Sequence, residues 1–467
     1  MSSSSIPLEK GTSKVNGTST CRVKVDIGGK GVVSHVGLHA LGSFADRLGL
    51  GDALSSAIPQ RPTLLHDRGK VLVEAALVLA GGGESCADIE HLRAEAALFG
   101  FVASDSTLHR SFHEINAKTR ARIATKVASV RAKVWERSAV TKTGPVFLDI
   151  DASLVEIHSE NKEQTAPTYK GGFGFHPMFC FADATGEALS GVLRPGNAGS
   201  NTAADHVMVL DEAISQLPGD VQAGHRVGDD ASLVQREVVC RTDSGGTTAA
   251  FMAALRARNI RFFTSAMTND QVQAAIFDAE GIEEVWVPAL TKDGEQRDGS
   301  SVCELTSLVC LSSFPSGTKL IVRREPLHPG AQRSLFPSLE YRYWGFYTDF
   351  EAEPAELDLT MRAHAHVENH IARLKDSGLC RFPFSSFAAN ANWMAIVMLG
   401  ADLVRWFQLL CCDGYWSLAR PKALRWGLFH APGRIVRTAR QSVVRILEYW
   451  PEADILLRAY RRIEAIT

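Results

Sequence analysis

Two strand-like runs in this chain each end in an aspartate. The run 146–151 (VFLDID) ends at Asp151, and the run 238–243 (VVCRTD) ends at Asp243, which is followed directly by Ser-Gly-Gly. A third acid, Glu368, lies in the helix-like stretch 362–375. Two strand-end aspartates and a helix-borne glutamate can converge on a pair of divalent metal ions, an arrangement that cuts and rejoins phosphodiesters. We therefore predict catalytic and metal-binding roles for Asp151, Asp243 and Glu368.

Other interpretations of the same region stay open. An aspartate at a strand end can instead form a turn or cap a helix. Asp149 lies two residues before Asp151, on the same face of the predicted strand, and is its rival. His366 and His370 are spaced i, i+4 and could share a zinc ion. Glu368 falls on the opposite side of that helix from His366, unlike the H-E-x-x-H zinc pattern, so the spacing disfavours a zinc protease.

The length of 467 residues indicates two to four domains. The composition is that of an ordinary soluble protein, and the net charge is only −2. Seven Lys or Arg residues are concentrated in 118–137 against one acid, which suits either phosphate contact or a solvated helix face. Nine cysteines without a C-x-x-C motif favour a reducing cytoplasm. The apolar stretch 394–412 contains Asp402 and Arg405, which favours a buried helix and no membrane span.

The chain divides by pattern into a tail, a helical part and an alternating part. We predict a disordered tail over 1–20 and a helical N-terminal DNA-binding domain over 21–140. Within the latter, 87–98 and 106–115 resemble two helices around a turn, with Ser104 or Asp105 as the N-cap of the second. This arrangement would place Arg110 near the start of a recognition helix, and a helical packing domain without base contacts is the alternative.

Strands and helices alternate from 141 onward, which predicts a mixed α/β sheet with helical layers. The segment 280–350 is rich in strands without intervening helices, and we interpret it as an inserted β module. Accordingly, we assign 141–279 to the first part of an α/β core, 280–350 to the insertion and 351–410 to the last helices of the core. Residues 411–467 are predicted to form a basic helical C-terminal region.

Five sequence motifs occur in order along nearly the whole chain. They are Leu148-Asp-Ile-Asp-Ala-Ser153, Gly172-Phe-Gly-Phe-His-Pro177, Leu193-Arg-Pro-Gly-Asn197, Arg241-Thr-Asp-Ser-Gly245 and the helix 368–375, which is followed by Arg381-Phe-Pro and Phe387-Ala-Ala-Asn390. In this order and spacing, the chain resembles the DDE-type transposases of bacterial insertion sequences, in particular the group called transposase DDE domain group 1.

The resemblance implies an α/β fold with an RNase H-like catalytic core, a β-rich insertion before the glutamate, and helical N-terminal and C-terminal regions on either side. It also implies that Asp151, Asp243 and Glu368 bind two Mg²⁺ ions, with Mn²⁺ as a substitute. One ion would activate water or a DNA 3′-hydroxyl, and the other would stabilise the departing oxygen.

Related transposases carry a Tyr-x-x-Arg-x-x-x-Glu-x-x-x-x-x-x-Lys signature. Glu368 and Lys375 keep that spacing here, whereas Met361 and His364 stand at the Tyr and Arg positions. We expect protonated His364 or the nearby Arg362 to replace the missing arginine, and Lys375 to contact a phosphate.

Further DNA contacts are predicted outside the signature. Arg434, Arg437 and Arg440 recur at i, i+3 and i+6, and would form one basic stripe on a C-terminal helix that follows a DNA backbone. Trp344 lies in the aromatic run 341–347 and is expected either in the core or stacked on a displaced base.

Together these features predict a DNA transposase of the bacterial cytoplasm, associated with the nucleoid. It would bind the terminal inverted repeats of an insertion sequence, cleave at the element ends and join the 3′-OH ends to target DNA. Its partner would be double-stranded DNA, with a homodimer acting on paired ends. A metal-dependent DNA nuclease without strand transfer and a catalytically idle DNA-binding regulator are the alternatives.

Overall fold

The computed structural model describes residues 14–15, 23–24, 27–60, 64–199, 202–327, 341–439 and 441–466. The predicted tail 1–20 lies outside this described part except for Lys14–Val15. The first part of the chain is mainly helical, as its apolar periodicity predicts. Its elements are β1 Lys14–Val15, β2 Val23–Lys24, β3 Val32–Val33, α1 Val36–Arg47, α2 Leu50–Ala57, α3 Arg68–Gly81, α4 Glu90–Ala94, α5 Ala96–Phe99, α6 Asp105–Glu114 and α7 Ala117–Arg137.

Only the second helix of the predicted helix-turn-helix is regular. It is α6, and the Ser104 hydroxyl caps it by accepting a hydrogen bond from the Thr107 N–H at 3.3 Å. The predicted first helix, 87–98, is instead divided into a 3₁₀ turn, α4 and α5. The division falls at Glu95, whose backbone leaves the helical region and whose carboxylate accepts a hydrogen bond from the Ser34 N–H. The expectation of two continuous helices around the turn is therefore wrong.

The middle of the chain forms the centre of a large mixed sheet. The elements here are β4 Val146–Ala152, β5 Val155–Glu156, β6 Ala166–Pro167, β7 Phe173–Phe175, β8 Met178–Ala182, β9 Glu187–Val192, α8 Ala203–Gln216, α9 Gly219–Gln222, β10 Val238–Thr242, α10 Ala249–Arg256, β11 Arg261–Ser265 and α11 Asp270–Glu280. Five of the strands lie in the order β9-β8-β4-β10-β11. Strand β10 is parallel to β4 and β11, whereas β8 is antiparallel to β4 and β9. This sheet confirms the predicted RNase H-like α/β core.

The β-rich segment extends the same sheet. Its strands are β12 Val287–Leu290, β13 Gln296–Glu304, β14 Lys319–Pro326 and β15 Tyr341–Thr348. They pair antiparallel in sequence order, and β15 joins β11, so the whole sheet has nine strands. The insertion is thus continuous with the core sheet and is not a separately packed unit.

The last part of the chain returns to helices but contains one β-hairpin. Its elements are α12 Pro354–Arg362, α13 His366–Leu374, α14 Phe387–Cys411, α15 Tyr415–Leu418, α16 Pro421–Leu424, β16 Gly433–Thr438, β17 Gln441–Ile446 and α17 Ala453–Glu464. The hairpin overturns the prediction that Arg434 and Arg437 share a helical stripe, because three residues along a strand lead to opposite faces. Ile435, Val436 and Val443 explain the outcome, since β-branched residues favour strands. Arg440 lies outside the described residues.

The two faces of the central sheet are covered differently. On one face, Leu148, Ile150 and Cys240 pack in a single apolar cluster with α8 and α10. The other face carries the polar positions Asp149 and Arg241, and is crossed by α12, α13 and α14. Strand alternation thus places apolar residues under α8 and leaves acidic residues for the second face.

Helix α14 is the central helix of the second layer. Among the described residues it alone is long and apolar enough to cross a membrane by length and composition, and 83% of its apolar window is buried inside the protein. Asp402 and Arg405 are buried within it. The helix is therefore a core element, as those two charges indicate.

A buried ionic cluster joins this helix to the N-terminal helices. The Arg131 guanidinium of α7 donates to Glu187 at 2.8 Å, to Gln216 at 2.7 Å and to Asp402 at 2.6 Å. Trp406 donates its indole N–H to Glu187 at 2.6 Å. One of the basic residues in 118–137 thus holds the fold together and does not face solvent. The N-terminal helices also share one apolar core with α14, so they are not a separate domain in packing terms.

Replacing Arg131 by Met is expected to lower the free energy of unfolding by about 3–5 kcal/mol, because two carboxylates would lose their buried cation. Urea unfolding followed by circular dichroism measures the change. Arg122→Met is the matched control on the same helix: its side chain is exposed, so the expected change stays within about 0.5 kcal/mol. Equal effects of the two substitutions would contradict the assignment.

Candidate active site

Asp151 and Asp243 lie side by side at one edge of the sheet. Strands β4 and β10 are parallel neighbours, and their register pairs Ile150 with Thr242, so the two aspartates follow at the same level. Neighbouring strands are about 4.8 Å apart, which brings the two backbones close together. Asp151 is half-buried, whereas Asp243 is exposed and accepts a hydrogen bond from the Gly245 N–H at 2.9 Å.

Glu368 reaches the same place from a helix. It lies exposed in the first turn of α13, which packs against β4. Burial, followed by the charge of Asp243, raises the pKa of Asp151 to about 6, and the charge of Glu368 adds to this effect. The Ala152 N–H and the His364 ring act in the opposite direction. Asp243 and Glu368 are therefore each near enough to Asp151 to act on its charge.

The donor set suits a hard divalent cation, although the carboxylates are not at ligand spacing. Within the described part of the chain, no group of three or more His, Cys, Asp or Glu side chains lies close enough together to hold a metal ion. Carboxylate oxygens are the ligands that Mg²⁺ prefers, and a cation would relieve the repulsion that raises the pKa of Asp151. On this chemistry, Asp151, Asp243 and Glu368 fit the implied metal ions.

Asp149 has a different environment from Asp151. It is fully buried, and its two oxygens accept hydrogen bonds from Arg241 Nε at 2.8 Å and Nη2 at 2.7 Å. His364 Nδ1 lies 2.7 Å from Asp149 Oδ1. Both carboxylate oxygens of Asp149 are therefore engaged by a buried cation within the fold.

Arg241 is the residue of this site that the sequence analysis missed. Besides Asp149, its Nη2 pairs with Asp183 at 2.7 Å, and its Nη1 donates to the Thr360 carbonyl at 3.0 Å. Its guanidinium lies 4.9 Å from the centroid of the Phe147 ring. Strand alternation offers a signal for it, since Arg241 shares a face of β10 with Asp243. Alternation does not reveal that Asp149 and Asp183 are the partners of Arg241.

Asp183 was also missed, and it explains the two histidines considered for zinc. His366 Nδ1 lies 2.9 Å from Asp183 Oδ1, and His370 Nε2 lies 3.8 Å from the same oxygen. Against the effect of burial, the nearby His370 ring and the charge of Arg241 hold the pKa of Asp183 well below its usual range. Both rings therefore face a carboxylate that Arg241 already neutralises in part.

Two further histidines lie near enough to Asp243 for its charge to affect their pKa values. Burial lowers the pKa of both His176 and His206, while the charge of Asp243 opposes the shift in each. His176 Nδ1 lies 3.1 Å from the Ala198 carbonyl oxygen, and the exposed Tyr169 ring lies 5.9 Å from the His176 ring. His176 belongs to one of the motifs noted above, but the sequence alone does not place it beside Asp243.

The predicted phosphate contacts differ in availability. Arg362 is tied to buried Asp358 by a 2.8 Å ion pair and also donates to the Leu290 carbonyl. His364, in a 3₁₀ turn between α12 and α13, is engaged by Asp149. Lys375 follows α13 and is half-buried, and its ammonium group has no hydrogen bond or ion pair within the described ranges. Of the three, Lys375 is the most available to a phosphate.

The remaining predicted contacts lie away from the acids. Trp344 on β15 is half-buried, with the guanidiniums of Arg342 and Arg323 at 4.2 Å and 4.8 Å from its ring centroid, so a base would have to displace one of them to stack there. Arg110 on α6 is exposed and donates to the Ser106 carbonyl at 3.2 Å. Arg434 and Arg437 lie on the hairpin.

A match to a family model shows the class of protein to which this chain belongs. The family model described as transposase DDE domain group 1 matches residues 15–467, and the chain belongs to this family. A solved structure of a piggyBac transposase synaptic complex with hairpin DNA resembles it with a TM-score of 0.42 and 10% sequence identity, over 84% of this chain and 80% of that chain. No curated protein matches the chain significantly.

Asp149→Asn is expected to lower the free energy of unfolding by about 3 kcal/mol, because it weakens a buried pair and leaves Arg241 poorly compensated. Chemical unfolding measures the change. Asp413→Asn is the matched control: Asp413 also pairs with an arginine, Arg462, but both side chains are exposed, so the expected loss stays below about 1 kcal/mol. A loss at Asp149 no larger than at Asp413 would contradict the role of the buried pair.

Asp151→Asn is expected to stabilise the metal-free protein at neutral pH. The folded pKa of Asp151 is about 6, raised from 3.8, so the wild type loses stability as the pH rises from about 4 through 6, by at most about 3 kcal/mol. The uncharged asparagine does not titrate. The difference in free energy of unfolding between the two proteins should therefore increase over this pH range and then stay constant.

Thermal unfolding in EDTA across this pH range measures the difference. Added Mg²⁺ should narrow it, because an ion that binds the folded wild type stabilises that protein more than the variant. A difference that is the same at every pH would show that the charge of Asp151 is not its cause.

Proposed function

We propose that this chain is a DNA transposase that binds the terminal inverted repeats of its element, cleaves at the element ends and joins the 3′-OH ends to target DNA. The observation that supports the proposal is the position of Asp151 and Asp243 at the ends of paired parallel strands, where the charges of Asp243 and Glu368 help to raise the pKa of Asp151. Family membership agrees with it. Acids that repel one another at an accessible sheet edge are typical of a cation-dependent catalytic site.

Asp151, Asp243 and Glu368 would hold two Mg²⁺ ions, or Mn²⁺ in their place. When bound, the ions supply activation of the attacking hydroxyl and stabilisation of the departing oxygen. The side chains of the protein keep this site in position. Arg241 holds β4 beside β10 through Asp149, and Lys375 is available to orient a phosphate.

Helix α7 offers a surface for the DNA itself. Its exposed residues Lys118, Arg122, Lys133 and Arg137 recur at spacings that keep them within about 100° of one another around the helix, over about 28 Å of its length. A stripe of this kind can follow a phosphate backbone, with affinity that falls as salt rises. Cutting two element ends together would require two active sites, so the acting form is proposed to be at least a homodimer.

A nuclease without strand transfer and an idle DNA-binding regulator remain the competing functions. The nuclease would cut but never join, so a strand-transfer assay with precleaved ends separates it from the transposase. The regulator would bind the repeats without Mg²⁺-dependent cleavage. No residue of the described site favours either over the transposase.

The acids are expected to be required for cleavage but not for DNA binding. Asp151→Asn, Asp243→Asn and Glu368→Gln should each lower Mg²⁺-dependent cleavage of the element's terminal repeat by roughly 10³-fold or more, since each removes a metal ligand. Gel analysis of labelled DNA with Mg²⁺, Mn²⁺ or Ca²⁺ measures the cleavage.

Glu356→Gln is the matched control, because Glu356 is an exposed acid on the neighbouring helix α12. It should leave both cleavage and binding unchanged. Binding without cleavage by the wild-type protein with every metal would sink the transposase proposal in favour of the regulator.

A further inference from the structure

The hairpin of β16 and β17 is an arm attached at its base. The two strands pair along their whole length, from Gly433 opposite Ile446 to Thr438 opposite Gln441. Strand β3 pairs only with Gly433 and Arg434. The distal part of the hairpin therefore has only its own two strands as hydrogen-bonded neighbours within the described residues.

The two faces of the hairpin have opposite character. Residues directly opposite each other in an antiparallel pair share a face. Ile435 and its partner Val444 pack towards the cluster that contains Val33 and Val36, together with Ile446. The pair of residues before it, Arg434 and Arg445, lies on the other face and is exposed to solvent. This face is the part of the hairpin that is free to meet a partner.

An arginine pair occupies the base of that solvent face. Arg434 lies directly opposite Arg445, and both are exposed. Like charges in this position repel, and no carboxylate in the described part of the chain lies within 4 Å of either guanidinium. Arg434 Nε donates to the Lys30 carbonyl at 3.2 Å, which brings a third exposed cation near the pair. The face thus concentrates positive charge without an internal counterion, in a protein whose net charge is −2.

We propose that this hairpin grips the phosphate backbone of duplex DNA, with Arg434 and Arg445 each neutralising a phosphate. An arginine fork matches phosphate oxygens, and bound phosphates would remove the repulsion between the two side chains. A two-stranded ribbon fits the major groove of DNA, and the exposed tip residues Thr438, Gln441 and Ser442 carry groups that hydrogen-bond to phosphates or base edges. The choice of DNA as the partner rests on the proposed function, whereas the anion-binding surface is a property of the hairpin.

The test is the salt dependence of DNA binding by the full chain. Fluorescence anisotropy of a labelled random-sequence duplex, in EDTA, gives log K against log salt for the wild type and for Arg434→Ala/Arg445→Ala. The double substitution is expected to reduce the slope by about 2, since each arginine that contacts a phosphate contributes about 1. Arg434→Lys/Arg445→Lys should restore most of the slope, because it keeps the charge.

The matched control is Arg458→Ala/Arg461→Ala on α17, which removes the same charge from two exposed positions. It should leave the slope nearly unchanged. An equal reduction by both double variants would overturn the proposal, because it would show a general effect of charge. The proposal is also overturned if Arg434→Ala/Arg445→Ala binds single-stranded RNA more weakly than the wild type does but binds duplex DNA equally well. That result would identify RNA as the partner.

A second measurement keeps folding defects apart from lost contacts. Removing one member of a repelling pair should raise the melting temperature of the free protein, so Arg445→Thr is expected to melt higher than wild type and to gain less from added duplex. A lower melting temperature would show that the pair is not repulsive. If the wild type binds no DNA, the proposed function fails. If Arg445→Thr still melts at a higher temperature in that case, the two arginines do repel each other, but DNA is not their partner. If the wild type binds duplex DNA and Arg434→Ala/Arg445→Ala has the same slope of log K against log salt, the proposal for the hairpin is wrong and the proposed function is not affected.

Discussion

The ion pair between Arg241 and Asp149 is the constraint on which the acidic edge of the sheet depends. The two side chains lie on adjacent parallel strands and are directly paired in register, so their bidentate contact resists any slip of β4 against β10. A slip of one residue would turn every side chain of a strand to the other face. The same register brings Asp151 and Asp243 level at the strand ends. Arg241 also reaches the Thr360 carbonyl of α12, and His364 beyond that helix contacts Asp149, so the pair orients the segment that carries Glu368.

This arrangement keeps three acids together at some loss of stability. Burial and the neighbouring charges raise the pKa of Asp151 to about 6, so the ionised form that predominates at neutral pH lowers the stability of the metal-free protein. Asp183 shows the opposite shift, because the His370 ring and the charge of Arg241 outweigh the effect of burial. Asp183, which pairs with Arg241, and Asp151, whose charge meets those of Asp243 and Glu368, thus have pKa shifts in opposite directions. The acid with the raised pKa is the one suited to bind a cation.

Sequence patterns predicted the parts of this structure that depend on local preference. The strand ending at Asp151 and the helix Ala203–Gln216 follow from alternation and from apolar spacing. The hairpin was missed because Arg434 and Arg437 fit a helical stripe while the β-branched residues between them favour a strand, and only the pairing with β17 decides between these. Likewise, Asp149 and Asp151 are equivalent by alternation, and the pairing of Asp149 with Arg241 on the neighbouring strand becomes visible only in the fold. The 87–98 helix failed for a similar reason, since Glu95 is drawn away by a hydrogen bond from a residue sixty-one positions earlier.

The distribution of positive charge follows from the same packing. His364 stands where related transposases have an arginine, yet it contacts Asp149, and Arg362 is held by Asp358. Arg241, the arginine beside the acids, already donates to Asp149, Asp183 and a backbone carbonyl, so it has little capacity left for a phosphate. Of the three predicted phosphate contacts, Lys375 is the one that no described ion pair engages. The cations that would hold a long DNA duplex must therefore lie outside the acidic edge, and the exposed stripe of α7 and the arginine pair of the hairpin are where the described chain provides them.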